Sequence, residues 1–75
     1  MITRLYRVRQ SSPAHTAGND RTFSQHEDRE AAIHAAETLS ASHEDVYAEC
    51  RLYADSLQLK QDKPFDTDLI WASWL

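Results

Sequence analysis

The segment that most constrains the fold is SQHEDREAAIHAAETLSAS, residues 24–42, which holds the longest helical pattern in the chain. Ser24 and Glu27 have the spacing of a capping box, in which the two side chains satisfy free N–H groups at the start of a helix. The apolar residues fall on one side of this helix: Ala32, Ile33, Ala35, Ala36 and Leu39. Because that side is mostly alanine, the helix can lie close to a flat surface. We therefore predict a helix over residues 24–42 that packs on a β-sheet.

Alternation of side chains predicts one strand before this helix and one after it. Residues 2–9 form the first strand, and residues 10–22, with one proline and the only glycine, form a loop. Residues 46–55 form the second strand. Its apolar set faces the helix: Val46, Ala48, Cys50, Leu52 and Ala54. Leu57 and Leu59 are out of phase with this set, which predicts a bulge near Ser56 if the strand continues.

The C-terminal run LIWASWL, residues 69–75, follows a predicted turn over residues 60–68 and is the most apolar part of the chain. Ile70 and Trp74 point to one side and Leu69 and Trp71 to the other, which is typical of a central strand. We therefore predict an α+β fold as a single domain over residues 1–75. Its three-stranded antiparallel sheet has β-α-β-β order with the last strand central, and one helix packs on one face.

Composition narrows the class of protein. The single cysteine excludes an internal disulfide, and the single glycine argues against a phosphate-binding loop. No apolar run approaches the length of about 20 residues that a membrane-spanning helix needs. The N-terminal residues lack the apolar core of a signal peptide. These features predict a soluble cytoplasmic protein without a membrane partner.

The net charge of −4 is unevenly distributed. Residues 1–26 hold four basic and one acidic residues, which gives +3, whereas residues 27–75 hold four basic and eleven acidic residues, which gives −7. Such asymmetry predicts a basic edge on an acidic body, and it bears on which partners the protein attracts.

No cluster of residues has the pattern of a catalytic or metal site. Glu30, His34 and Glu37 share one helix face, but zinc needs three or four converging ligands, and the same spacing is typical of an ordinary solvated face. Cys50 lies mid-strand on the predicted core side, where thiols act as small apolar groups. We therefore predict a protein that is not an enzyme and that has no catalytic, cofactor-binding or metal-binding residues.

A single helix covers only one side of the predicted sheet, which would leave aromatic and apolar side chains exposed on the other. Tyr, Trp and Arg are the usual anchors of protein interfaces. The residues predicted to bind a protein partner are Leu5, Arg7, Arg9, Tyr47, Tyr53 and Trp71. This surface has three alternative occupants: the predicted loop of the same chain, a second copy of the chain, which would make a homodimer, or a different protein.

The layout resembles small phage and mobile-element proteins of the anti-CRISPR type. The strand LYRVR, a loop, the helix in FSQHEDREAAIHAAETL and two strands ending in a Trp-containing segment carry this resemblance. It implies an inhibitor that binds a host protein complex, such as a nucleic-acid-binding surveillance complex, and blocks DNA access without chemistry.

The alternative function is that of a small nucleic-acid-binding or regulatory domain. Arg4, Arg7 and Arg9 of the first strand lie near Tyr6, and basic strands with aromatic residues can follow a nucleic-acid backbone. Arg4 projects to the opposite side from the other two, however, and the acidic remainder of the chain repels phosphates. Direct nucleic-acid binding therefore ranks second to the inhibitor.

Overall fold

The computed structural model describes residues 1–11 and 20–75, which form a four-stranded antiparallel sheet and two helices. The elements in chain order are β1 (Thr3–Gln10), β2 (Arg21–His26), α1 (Arg29–Ser40), β3 (Val46–Tyr53), α2 (Ser56–Gln61) and β4 (Asp66–Ala72). The strand order is β2-β1-β3-β4. The predicted α+β class and antiparallel sheet are confirmed, whereas the three-strand count and the central last strand are wrong.

The N-terminal part of the predicted helix is instead a strand. Ser24 lies in β2 opposite Val8, and its Oγ atom is 2.8 Å from Nε2 of His26. Helix α1 begins after Asp28, whose carboxylate accepts a hydrogen bond from the Ala31 N–H at 2.9 Å. The predicted capping box is therefore wrong. Most of the predicted loop, residues 12–19, lies outside the described part of the chain, and the ends of that loop belong to β1 and β2.

The core lies between α1 and the two central strands. It contains Tyr6 and Val8 of β1, Ala32 and Ala36 of α1, and Val46 and Ala48 of β3. Both alanines of α1 are completely buried, so their small side chains let the helix approach the sheet closely. The predicted packing of an alanine-rich helix side on a sheet, and the predicted core side of the strand after it, are confirmed.

Strand β4 lies at an edge of the sheet, and a bulge in it changes the direction of its side chains. The β3–β4 register pairs Ala48 with Trp71 and Glu49 with Leu69, which leaves Ile70 as the extra residue. Ile70 and Trp71 therefore both pack against the core, whereas Leu69 is 49% exposed. Leu69 and Ala72 lie on the other side of the sheet, opposite Glu49 and Tyr47. Alternation through all of residues 69–75, which predicted a central strand, stops at the bulge.

A short helix, α2, replaces the bulge predicted near Ser56. The Asp55 carboxylate accepts a hydrogen bond from the Gln58 N–H at 2.8 Å and caps the first turn. The helix ends at Asp62, whose φ of 55° is left-handed, a region that Asp tolerates better than most residues. Neither α1 nor α2 has the length and hydropathy needed to cross a bilayer, and no other helix occurs in residues 1–11 and 20–75.

Candidate functional site: the charged face of the sheet

The sheet face opposite α1 carries a network of charged and hydrogen-bonded side chains. Alternation along β1 and β3 brings these side chains to the face that the core residues leave free. We call this set the arginine–carboxylate network, and it consists of Arg7, Arg9, Glu49, Arg51, Tyr53 and Asp62.

Asp62 is the residue that joins α2 to the two central strands. Arg7 donates two hydrogen bonds to its carboxylate, from Nη1 to Oδ2 at 2.8 Å and from Nη2 to Oδ1 at 2.9 Å. Arg51 Nη2 donates to Oδ1 at 3.1 Å, and the Tyr53 hydroxyl donates to the same atom at 2.7 Å. A two-point contact between guanidinium and carboxylate fixes orientation as well as distance. One side chain therefore positions α2 over one end of the sheet.

Glu49 organises the other half of the network. Arg51 Nη1 donates to its Oε2 at 2.8 Å, and Arg9 Nη1 lies 3.6 Å from its Oε1. Arg9 also donates from Nη2 to the Asp20 carbonyl oxygen at 3.1 Å, and the Tyr47 hydroxyl donates to the Asp20 carboxylate at 2.6 Å. Glu49 and Arg51 are buried, so their charges are balanced within the chain.

Contacts on this face of the sheet shift the pKa values of one carboxyl group and two tyrosine hydroxyls. The hydrogen bonds from Arg7 hold the pKa of the Asp62 carboxyl down at about 2, against an ordinary value of 3.8, although burial opposes this shift. Burial and the hydrogen bond to Asp62 raise the pKa of the Tyr53 hydroxyl. Burial and the hydrogen bond to Asp20 raise the pKa of the Tyr47 hydroxyl as well. At neutral pH the Asp62 carboxyl is therefore ionised, and the Tyr53 and Tyr47 hydroxyls are neutral.

The low pKa of Asp62 predicts how stability depends on pH. Because the pKa is depressed in the folded state, the stabilisation is fully present above about pH 4 and is lost as the pH falls towards 2. The Asp62 side chain is 46% exposed, so solvent screening reduces the effect to about 1 kcal/mol. Urea unfolding at several acidic pH values should show a steeper loss for the wild type than for Asp62→Asn. Equal pH dependence of the two proteins would contradict this assignment.

Of the six predicted partner-binding residues, all except Trp71 lie on the sheet face opposite α1, where they were predicted to lie. Leu5, however, is only 8% exposed, and Tyr53 is completely buried. Tyr47 is half-buried, and its ring lies edge-on to Trp74 with centroids 6.0 Å apart. Trp71 packs on the α1 side against the core. The reverse side of the sheet is thus largely an ion-pair surface joined to α2, and a partner-binding role for these residues stays a prediction.

The α1 side of the sheet holds a cleft of about 280 Å³ lined by residues of β1, β3 and β4 and by the first residue of α1. Its charged lining consists of Arg4, Arg29, Asp66 and Asp68, and Cys50, Leu52 and Ile70 also contribute to its walls. Burial raises the pKa of the free Cys50 thiol, and both aspartates act in the same direction. A thiol with a raised pKa is a weak nucleophile at neutral pH.

The histidine and carboxylates of α1 do not form a metal site. His34, Glu30 and Glu37 are all exposed on the helix. In residues 1–11 and 20–75, no three side chains of the types that bind metals come close enough to hold an ion.

The sequence prediction missed three residues of the network. Glu49 and Arg51 had a detectable signal, since they alternate with Tyr47 and Tyr53 on one face of a predicted strand. Asp62 had no such signal in the sequence, because the residues that it contacts lie as far as 55 positions away in the chain. Comparisons of the chain with family models, with curated proteins and with solved structures gave no significant match.

Proposed function

We propose that this protein is a non-enzymatic inhibitor that binds a basic surface on a nucleic-acid-binding protein complex and blocks it. The proposal follows the resemblance to proteins of the anti-CRISPR type. The observation that supports it best is the pairing of the sheet-face arginines with carboxylates of the same chain. Arg7 pairs with Asp62 and Arg9 with Glu49, and the two arginine side chains are only 19% and 18% exposed.

This pairing determines which charges a partner meets. A phosphate that approached Arg7 or Arg9 would have to compete with a carboxylate already in place, at a cost in hydrogen bonds. In contrast, several exposed acidic side chains form no ion pair in the part of the chain that the structure describes. They are Glu27, Asp28, Glu30, Glu37, Glu44, Asp45, Asp66 and Asp68.

An acidic surface of this kind favours a basic partner. Long-range attraction speeds the encounter with a positively charged protein surface and slows the encounter with a nucleic acid. A basic groove that binds DNA presents the complementary charge, so a small acidic protein seated there excludes the DNA phosphates without any chemical step.

The test is a competition for DNA. The purified chain is titrated into CRISPR effector complexes of several types, and the binding of labelled target DNA is followed by fluorescence anisotropy. We expect DNA binding to one type to be lost, with saturation at a fixed protein ratio and less inhibition as salt rises from about 50 to about 200 mM. Unchanged DNA binding for every type would contradict the proposal.

The same assay includes the chain with DNA alone. The alternative function, nucleic-acid binding through the arginine-rich first strand, predicts direct binding that weakens steeply with salt. We expect no such binding, because Arg7 and Arg9 are held in ion pairs. Direct, salt-sensitive binding would replace the inhibitor proposal with the alternative.

A further inference from the structure

The cleft on the α1 side of the sheet has a basic wall and an acidic wall. The strand registers place Arg4 of β1, Leu52 of β3 and Asp66 of β4 side by side in one row. In the next row, Cys50 of β3 lies beside Asp68 of β4. Because β3 lies between the two walls, the backbones that carry them are about 10 Å apart. The floor between the walls consists of an aliphatic side chain and a thiol.

A second arginine adds to the basic wall. Arg29 is the first residue of α1, and it lines the same cleft as Arg4. Burial is the main cause of the raised pKa of the Cys50 thiol, but the four charged side chains also act on it. The two arginines lower this pKa, and the two aspartates raise it. The four charges therefore act on one small space.

These charges are not neutralised by pairing within the described chain. In residues 1–11 and 20–75, no ion pair includes Arg4, Arg29, Asp66 or Asp68. On the opposite face of the sheet, in contrast, the arginine–carboxylate network pairs each of its arginines with a carboxylate. Each wall of the cleft therefore keeps its capacity to bind a group of opposite charge.

The balance of charges determines the kind of ligand that fits. Two arginines and two aspartates give the cleft no formal net charge. A simple anion that is attracted to one wall is repelled by the other, and the same holds for a simple cation. A zwitterion is attracted by both walls. A divalent metal ion is less suitable, because no three metal-binding side chains come together in the part of the chain that the structure describes.

The volume of the cleft limits the size of the ligand. At about 280 Å³ it lies just below the range of about 300–1,000 Å³ that is typical of pockets for drug-sized molecules. In a free α-amino acid the two charged groups share one carbon atom. Walls on different strands are matched better by an extended dipeptide, whose charged groups are about 6 Å apart.

We propose that this cleft binds a small zwitterion of dipeptide size, with its carboxylate at the two arginines and its ammonium group at the two aspartates. The side chains of the ligand contact Leu52 and Ile70, which supply the apolar part of the lining. This inference goes beyond the inhibitor function proposed above, which needs no small ligand, and neither proposal depends on the other.

The test is an NMR titration of the full chain with dialanine, whose two termini are free. We expect shifts at the amides of residues 4, 50, 52, 66 and 68, and nuclear Overhauser contacts from the dipeptide methyl groups to Leu52 and Ile70. Acetylation of the ammonium group, or amidation of the carboxylate, should each weaken binding about tenfold, because one wall then repels the remaining charge. Equal binding of free and blocked dipeptides, or no shifts up to about 20 mM dialanine, would overturn the proposed site.

Variants of the two walls test the orientation of the ligand. Arg4→Gln should weaken dialanine binding about fivefold, since Arg29 remains, but it should not weaken binding of the amidated dipeptide, which lacks the carboxylate. Asp68→Asn should likewise weaken binding of dialanine but not of the acetylated dipeptide. Both replaced side chains are exposed, so the fold is retained.

Two matched controls remove the same charges from outside the cleft. Arg21→Gln replaces an exposed arginine of β2, and Glu37→Gln replaces an exposed carboxylate of α1. Each should change the affinity for dialanine by less than about twofold, because solvent and salt screen charges at that distance. Control variants that weaken binding as much as Arg4→Gln and Asp68→Asn would overturn the assignment of the site to this cleft.

Discussion

Replacement of Asp62 by asparagine is expected to lower the free energy of unfolding by about 1 kcal/mol, because the side chain is 46% exposed and solvent screens its charge. Asparagine keeps the left-handed backbone conformation with φ of 55°, so the substitution isolates the loss of the charge. It weakens the contacts to Arg7 and Arg51, and the Arg51 side chain is only 10% exposed. A buried guanidinium that loses part of its counterion carries a desolvation penalty. Urea denaturation followed by circular dichroism measures the change.

Asp45→Asn is the matched control for this variant. Asp45 has the same φ of 55°, but it forms no ion pair within the described chain. We expect its substitution to change the unfolding free energy by less than about 0.5 kcal/mol. Equal destabilisation by the two variants would show that the left-handed backbone, and not the ion pairs, accounts for the effect.

Tyr53→Ala is expected to remove a large part of the stability of the protein and to lower its unfolding temperature strongly. The Tyr53 side chain is completely buried, and truncation of a buried aromatic ring costs about 3–5 kcal/mol. A domain of 75 residues has a total stability of only about 4–11 kcal/mol. The variant also leaves Nε of Arg51 without the hydroxyl that accepts its hydrogen bond at 3.0 Å. Thermal unfolding followed by circular dichroism measures the loss.

Two further variants separate the contributions of Tyr53. Tyr53→Phe keeps the ring and loses only the hydroxyl, so we expect a smaller cost of about 1–2 kcal/mol. Leu57→Ala removes a side chain that is 59% exposed and should change stability by less than about 0.5 kcal/mol. A Tyr53→Ala protein with wild-type stability would contradict the buried position of the ring.

The sequence was sufficient to predict the elements in which one periodicity dominates. Val46, Ala48 and Cys50 alternate strictly with polar neighbours, and the structure has that strand with the same core side. The alanines of α1 recur with the helical period and are buried against the sheet. In both elements the local pattern and the tertiary packing favour the same structure, so the prediction needed no information about distant residues.

The sequence was insufficient where a bulge or a short element breaks the period. Phe23 is the extra residue at the β1–β2 bulge, and the strand around it is too short to compete with the helical pattern that follows. Ile70 has the same effect in β4, where the extra residue shifts the phase of the side-chain alternation. The sequence does contain a signal for helix α2, because Asp55 is followed three residues later by Gln58, which is the spacing of a helix N-terminal cap.

The charged face could be predicted only in part. Alternation placed Arg7, Arg9 and Tyr53 on one side, and the structure confirms that placement. Their mutual neutralisation depends on Asp62, which reaches them only because α2 folds back over the sheet. Contacts between residues so distant in the chain leave no periodic trace in a single sequence.

Both tryptophans of the chain occur at its C-terminal end, within and just after β4. Trp71 lies opposite Ala48 in the β3–β4 register, and Trp74 contacts Tyr47. The intrinsic fluorescence of the two tryptophans therefore reports on the β4 edge of the sheet and not on the pairing of the central strands β1 and β3. A change in tryptophan fluorescence would therefore report the detachment of β4 separately from the unfolding of the whole domain.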